Sequence, residues 1–416
     1  MSENRFTPCV YAVATMDTKA VEILYVAERM RAVGTHVTVV NVGTGGTGEH
    51  GADVGRETVA MCHPQGREAV FGRPDRGQAI AAMSVALTAF VTREHAAGKL
   101  AAIIGIGGGG GTSLITRAMR ALPIGVPKLM VSTLASGNVA HYIDCSDITM
   151  MPSVVDVAGI NRISRQVLAN AAHAIAGMAQ HRMLEGSLSE RSNRTETVAL
   201  TMFGVTTPCV DAVRKILEVS GKDCLVFHAT GTGGRTMEKL VESGLIDAVL
   251  DITTTEVSDE VVGGVLSAGP ERFDRIIASG VPYVMSLGAI DMVNYGGIDT
   301  VPEKFRHRNL HVHNSEVTLM RTTTEENRRI ARWIAAKVNQ SSSSLLILIP
   351  ERGLSMLDAP GQPFYDPEAD AALFTELERA VHQNSNRQIR RVPCHINEPA
   401  FSEAIVQAYR EHTSRS

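Results

Sequence analysis

"LAAIIGIGGGGGTSLITRAMRAL", residues 100–122, joins an apolar run to five consecutive glycines and then to a segment with helical apolar spacing. Glycine loses more backbone freedom on folding than any other residue, so such a run implies a close approach to the backbone. The apolar run does not alternate with polar residues, which predicts a parallel strand covered on both faces. A strand that passes through a glycine turn into a helix presents backbone N–H groups at the helix N-terminus. There the helix dipole helps them to hold an anion. The segment therefore reads as a phosphate cradle of Gly107, Gly108, Gly109, Gly110 and Gly111, with the hydroxyls of Thr112 and Ser113. Residues 105–110 also spell G-x-G-x-x-G, but "GVPKLMV" stands where a dinucleotide site places an acidic residue. Gly111-Thr112 stands where Lys-Ser/Thr would complete a Walker loop. Tight helix–sheet packing is the plain alternative.

Outward from this stretch, apolar runs and helical segments alternate along the chain. "CVYAVAT", "HVTVVNVG", "PKLMVST" and "DITMMPSVV" read as strands, with helices between them and after the last. The polar stretch 185–197 interrupts the pattern and reads as a linker. The alternation then restarts through "VALTMFGVT", "CLVFHAT", "DAVLDITTTE", "VPYVMSLGAIDMV", "HVHNSEVTLMRTT" and "SLLILIP". The fold class is α/β, as two Rossmann-like domains (1–184 and 198–416, joined by 185–197), each a mostly parallel sheet covered by helices. The second half has its own glycine turn, "HATGTGGRTMEKL", offering Gly231, Gly233 and Gly234 as a second cradle. A third cluster, Gly43 to Gly48, has no clear helix after it and reads as a surface loop.

The chain of 416 residues carries 40 Lys and Arg against 44 Asp and Glu, a net charge of −4 that argues against a nucleic-acid surface. No apolar run approaches the roughly 20 residues that span a bilayer, and no signal-peptide pattern opens the chain. Neither nucleic acid nor membrane is expected as a partner, and the expected location is the cytoplasm. The six cysteines are scattered without a C-x-x-C pair and read as reduced thiols.

Polar groups gather at the predicted strand ends, where doubly wound folds bind ligands. Asp17, Thr18 and Lys19 follow the first strand; they suit helix capping or a contact with ribose, Mg²⁺ and phosphate. Thr133, Ser136, Gly137 and Asn138 follow "PKLMV" and suit either a turn or nucleotide hydrogen bonds. In the second half His228, Glu256, Asp291 and His313 form a pool of candidate catalytic acid–base groups. His311 and His313 share a strand face and raise the question of a metal, with hydrogen-bonded structural histidines as the alternative. Arg306, Arg308 and Arg321 are candidates for an anionic substrate.

Several longer strings carry a more specific signal. "ATMDTKAVE", "GIGGGGGTSL", "VSTLASGN", "NAAHAIAGM", "MFGVTTPCV", "FHATGTGG", "DITTTEVSDEVVGGVLSAG", "GAIDMVN", "HVHNSEVTLMRTT" and "DAPGQPFYDPEADAALF" together resemble the Tm-1-like ATP-binding family, UPF0261. The resemblance spans essentially the whole chain, with Ala20 where glycine is usual and Gly109 where serine is common. It implies two Rossmann-like domains, ATP as the bound nucleotide and a homodimer. Plant members carry an additional TIM-barrel portion, so it also implies a separate TIM-barrel partner protein. The family name records a ligand and no reaction.

The expected function is an ATP-binding enzyme using Mg²⁺ and acting on a small carboxylate or sugar-derived acid, by phosphoryl transfer or ligase-type activation. Its ligand is expected in one cleft lined by both glycine turns. Two alternatives stand beside it: an ATP-independent hydrolase or lyase of a β-keto acid, and a non-catalytic nucleotide-binding interaction module.

Overall fold

The computed structural model describes residues 9–45, 51–72, 75–188 and 195–413, with side chains omitted for 185–188. The chain divides into two compact units, 1–193 and 194–416.

In the first unit β1 (Cys9–Ala14) leads into α1 (Met16–Ala32) and β2 (Val37–Asn41). Two short helices, α2 (Arg56–Ala60) and α3 (Glu68–Phe71), precede the long α4 (Arg76–Ala96). Then come β3 (Leu100–Gly107), α5 (Gly109–Ala121), β4 (Lys128–Ser132), α6 (Ala140–Ile143), β5 (Ile148–Pro152) and α7 (Arg162–Leu188). The five strands are parallel in the order β2-β1-β3-β4-β5. Every residue of β3 is buried, the outcome its unbroken apolar run implies. One face packs under α4 and α5 through Met83, Leu87, Leu114 and Ile115. The other packs under α1 and α7 through Ile23, Met30, Leu168 and Ile175. Helix α7 continues to Leu188, into the segment expected to be linker from 185; residues 189–194 lie outside the described residues.

The second unit opens with β6 (Thr197–Met202), α8 (Thr207–Val219), β7 (Asp223–His228), α9 (Thr232–Glu242) and β8 (Ala248–Thr253). It continues through α10 (Thr255–Val262), α11 (Asp274–Ser279), β9 (Tyr283–Gly288) and β10 (Met292–Tyr295). After β11 (Leu310–Asn314) and β12 (Val317–Arg321) come α12 (Thr324–Val338), β13 (Leu345–Pro350), α13 (Pro367–Ala380), β14 (Arg387–Val392) and α14 (Pro399–Thr413). Six strands are parallel in the order β14-β13-β9-β8-β6-β7. Renumbered within the unit, its first five strands repeat the 2-1-3-4-5 order of the first unit. Apolar cores again lie on both faces, one with Met237, Ile330 and Leu373, the other with Val210, Val213 and Phe401.

Two segments read as single strands are each broken. "VPYVMSLGAIDMV" divides at Ala289, whose φ of 56° turns the chain out of β9, and β10 joins a separate antiparallel sheet. "HVHNSEVTLMRTT" is the hairpin β11–β12 of that sheet, whose order is β10-β12-β11.

Candidate functional site

In a 2-1-3-4-5 sheet the chain leaves the first strand toward one edge and returns on its other side, so a crevice opens between the carboxyl ends of the first and third strands. In the first unit these are β1 and β3, paired so that Ala14 lies opposite Ile106. The glycine turn follows β3 and the Thr15–Thr18 turn follows β1, so both flank this crevice. The five glycines do not share one role. A Cβ on Gly107 would lie 2.8 Å from Gly111 C and Thr112 N, and one on Gly105 would lie 2.7 Å from Ile115 and Met130. These two permit the turn and the close seat of α5 on β3. On Gly108, Gly109 and Gly111 the same atom would meet nothing nearer than 3.7 Å, and on Gly110 only the Ile80 Cδ1 tip at 3.0 Å. None of the five has a positive φ. Neither packing nor conformation demands glycine at 108, 109 and 111.

Helix α5 begins at Gly109 with Gly108 as its N-cap and no side-chain cap. The first N–H groups of a helix have no partner within it, and here Gly109 and Gly110 are exposed. Thr112 is a correction to the reading as a ligand hydroxyl: it is buried, its Oγ1 lies 2.7 Å from Ser132 Oγ, and it pins the turn to β4. Ser113 is exposed on the first turn. Across the crevice Asp17 and Thr18 are exposed, and Asp17 Oδ2 accepts from Gly45 N at 3.2 Å. Asn41 Oδ1 accepts from both Met16 N and Gly43 N, fastening the turns after β1 and β2 together. Lys19 differs from expectation: its ammonium donates to the Val157 carbonyl, so it ties α1 to the chain after β5. Of the third glycine cluster, residues 46–50 lie outside the described residues.

Beside the glycine turn the carboxyl ends of β4 and β5 enclose a cavity of about 450 Å³, lined by Thr133, Ser136, Pro152, Ser153, Val154 and Asp156 among others. Thr133 Oγ1 would lie 3.7 Å from a Cβ on Gly108, so cavity and turn adjoin. Gly137 and Asn138 are exposed on the same loop, where Asn138 Oδ1 accepts from Ala140 N at the start of α6. Val154 holds a φ of 65° while 74% exposed, a strained conformation for a β-branched residue of the kind that gathers at functional sites.

The second glycine turn is built differently. Gly231 N and Gly234 N both donate to Glu256 Oε1, at 2.7 and 3.0 Å. A Cβ on Gly234 would lie 2.1 Å from Glu256 Oε2, and one on Gly233 would lie 1.8 Å from the His228 carbonyl. The N-terminus of α9 thus holds a carboxylate of its own chain, and Gly231, Gly233 and Gly234 are corrected from nucleotide ligands to a seat for Glu256. Glu256 is buried against Arg272 Nε at 2.9 Å, and Arg272 also meets Asp251 and Glu238. Tyr283 and Thr201 donate to Asp251. Burial pushes the Glu256 and Glu238 carboxyls upward against the opposing pull of Arg272. Glu256, expected among the acid–base groups, is engaged by the Gly231 and Gly234 N–H groups and by Arg272.

His228 ends the edge strand β7, exposed and set edge-on to Phe203. His313 is exposed at a register shift in β11, away from His311's contact with Phe364. Among the described residues no group of three His, Cys, Asp or Glu could hold a metal ion. Neither histidine joins Asp291, which lies buried after Ala289 with Ser355 Oγ donating to its Oδ2 at 2.7 Å. Asp291 instead shares Arg321 with Asp358 and Asp370, the last 2.6 Å from the guanidinium. Burial, reinforced by Asp358, raises Asp291 well above the usual carboxylate range, while Arg321 opposes the shift. Asp370 is raised likewise. Asp358 and Asp370 fall in the family-like "DAPGQPFYDPEAD" string; nothing in periodicity or spacing marks Arg272, which the sequence reading missed.

These geometries define a protein of two doubly wound units, one with an uncapped glycine turn at its topological switch point. The chain belongs to the uncharacterised protein family UPF0261, whose N-terminal domain matches residues 8–183 and whose C-terminal domain matches 195–413. A UPF0261 protein of Rhizobium meliloti is 53% identical over 97% of this chain and 98% of its own length. One of Mesorhizobium japonicum is 51% identical over 95% of this chain and 97% of its own. The ToMV resistance protein Tm-1 of Solanum lycopersicum is 46% identical over 99% of this chain, which spans 56% of that protein. Among the described residues no helix is long and apolar enough to cross a membrane.

Proposed function

We propose that the chain binds ATP with Mg²⁺ through its first unit, as a cytoplasmic, homodimeric enzyme acting on a small carboxylate or sugar-derived acid. The observation that carries the nucleotide reading is the uncapped start of α5, where three glycines leave room that the protein itself does not fill. Backbone N–H groups at a helix N-terminus favour phosphate. Asp17 and Thr18 across the crevice are the residues that would hold Mg²⁺, and Asp156 would accept from ribose hydroxyls in the adjoining cavity. Leu134 and Val154, both exposed beside the turn, offer apolar surface to a base. Mg²⁺ would neutralise the phosphates, while the chain orients them. The name of the tomato relative refers to virus resistance, which supports a second reading as a nucleotide-binding interaction module.

Calorimetry with Mg-ATP on the full chain tests the nucleotide site. A carboxylate at Gly109 has space and lies where the helix dipole favours it, so Gly109→Asp should fold normally. It should weaken Mg-ATP by roughly a hundredfold or more, by placing a fixed anion where phosphate would sit. Unchanged affinity in a folded Gly109→Asp protein would remove the cradle. ATP turnover with candidate acids separates enzyme from interaction module.

A further inference from the structure

The second unit contains a cavity that the nucleotide reading does not use. At the carboxyl ends of β13 and β14 a space of about 460 Å³ is lined by Glu351, Arg352, Tyr365, Asp370, His395 and Glu398, with Ala359, Pro360 and Pro367. That volume suits a small ligand. Its walls are fixed before any ligand arrives. Phe364 is fully buried, and Arg321 holds the carbonyls of Phe364 and Asp366. Asp358 accepts from Leu354 N, and Asn309 donates to Pro363 O. His395 is immobilised, with Nε2 at 2.9 Å from the Ser355 carbonyl and Nδ1 accepting from Asn397 N. Its ring is therefore a fixed part of the wall.

Two groups in this cavity stand out. Among the described residues the Arg352 guanidinium has no hydrogen bond or carboxylate partner, although Arg391 nearby holds both Glu378 and Glu351. Tyr365 is 45% exposed, presenting its ring and hydroxyl at the rim. On the same cavity Asp370 is 5% exposed, held by Arg321 and by a hydrogen bond with Asp358, and Glu398 accepts from the His395 backbone N–H. A free guanidinium selects a carboxylate through paired hydrogen bonds. Three carboxyl side chains on the walls disfavour a phosphate dianion but suit hydroxyl donors. One aromatic face and little aliphatic surface suit a hydroxylated carbon chain rather than a fatty one.

We infer that this cavity is a binding site for a polyhydroxylated small carboxylate of the sugar-acid class, its carboxylate on Arg352 and its hydroxyls on Asp370, Glu398 and Tyr365. The inference deepens the reading of the chain as an enzyme of small acids, while the binding itself needs no nucleotide. Calorimetry or ligand-observed NMR on the full chain would use D-gluconate, D-glucuronate and L-threonate, with hexanoate and D-glucose as controls. At least one sugar acid should bind saturably, with both controls about tenfold weaker or worse. Arg352→Ala, an exposed change that should leave the melting temperature unaltered, should weaken that acid by roughly tenfold or more. Tyr365→Ala provides a second exposed variant with a smaller loss in the same direction. Failure of all three acids to bind below about 10 mM, or undiminished affinity in Arg352→Ala, would overturn the site. Hexanoate binding as well as the best sugar acid would overturn the hydroxylated class. Mg-ATP titrated into the same samples reads the first unit separately, so either assignment can fail alone.

Discussion

Helices α5 and α9 both begin in glycine-rich turns after a parallel strand, yet the turns do opposite things. At α9 the chain's own Glu256 lies on the Gly231 and Gly234 N–H groups, and each glycine's missing side chain is replaced by protein atoms within 2.6 Å. At α5 no side chain caps the helix, and Gly108, Gly109 and Gly111 leave a gap of 3.7 Å or more around a notional Cβ. Their positions differ too. α5 follows the third strand of its unit, at the switch point, whereas α9 follows the edge strand β7. The strand of the second unit that corresponds to β3 is β8, and it ends in threonines. Glycine at a helix start therefore signals that something comes close; topology and neighbouring side chains decide whether that something is the protein or a ligand.

The largest expected effect comes from emptying the filled turn. Glu256→Ala leaves the N–H groups of Gly231 and Gly234 without an acceptor and removes one carboxylate from buried Arg272. Breaking such a buried ionic cluster from one side costs about 3–5 kcal/mol. Trp333, the single tryptophan, packs on Phe273 next to Arg272, so its fluorescence during urea unfolding reports this unit. A midpoint equal to wild type would mean that Glu256 does not support α9 and that the two turns are alike after all.

Acid should strengthen the second unit, where buried carboxyls are raised. Burial pushes Asp259 up to about 7, and Asp291 and Asp370 move in the same direction, whereas Glu94 of the first unit is, against the pull of burial, lowered by its hydrogen bonds from Arg93 and Tyr11. A carboxyl whose folded pKa exceeds its unfolded value holds its proton longer in the native state. Stability is then highest below the unfolded value near 4 and falls as pH rises toward 7. From pH 5.5 to 7 the loss from Asp259 is roughly 2 kcal/mol. The Trp333-reported urea midpoint should decrease over that interval. A midpoint that stays level or increases would show that these carboxyls are ionised in the folded protein, Asp259 on its Asn294 hydrogen bonds and Asp291 and Asp370 with Arg321.

How much of this was legible depends on where the deciding atoms lie in the chain. The paired α/β units follow from unbroken apolar runs such as 100–107, because a strand buried on both faces has no polar alternation to obscure it. The small antiparallel sheet escaped notice: its break comes at Ala289, a residue without glycine's freedom, and its hairpin turns on Asn314–Ser315–Glu316 without a glycine. The glycine turns were equally visible, but their contents were not. Glu256 lies 25 positions beyond Gly231, and only the fold brings them together. The cavity of Arg352, Tyr365 and His395 joins the ends of β13 and β14 with the α13 entry, a juxtaposition set by sheet order rather than local pattern.

Within the glycine turn before α5 and the first turn of α5 the glycines should separate. Gly107→Ala would place a methyl 2.8 Å from the backbone of Gly111 and Thr112, and the turn has no slack to absorb it. Overpacking of this kind costs about 1–3 kcal/mol. Calorimetric melting of the first unit should show the loss, with Trp333 fluorescence as the unaffected control. An unchanged melt would mean the turn is looser than its geometry.

The smallest effect carries the opposite sign and bears most directly on what the turn is for. A methyl on Gly109 meets only Leu134 Cδ1, at 3.7 Å, and the residue is already helical. Alanine restricts the unfolded chain and favours helix, so Gly109→Ala should stabilise the first unit by about 0.5–1 kcal/mol. Gly111→Ala should behave alike, whereas Gly110→Ala should gain less because its methyl presses on Ile80. A residue that folding would exchange at a profit is held for another reason, and the nucleotide reading supplies one: the methyl stands over the N–H groups that phosphate would reach. Differential scanning calorimetry with and without Mg-ATP decides it. Gly109→Ala should melt higher than wild type without nucleotide and gain less from adding it. If the variant melts lower without nucleotide, the glycine serves folding after all, and the contrast between α5 and α9 disappears.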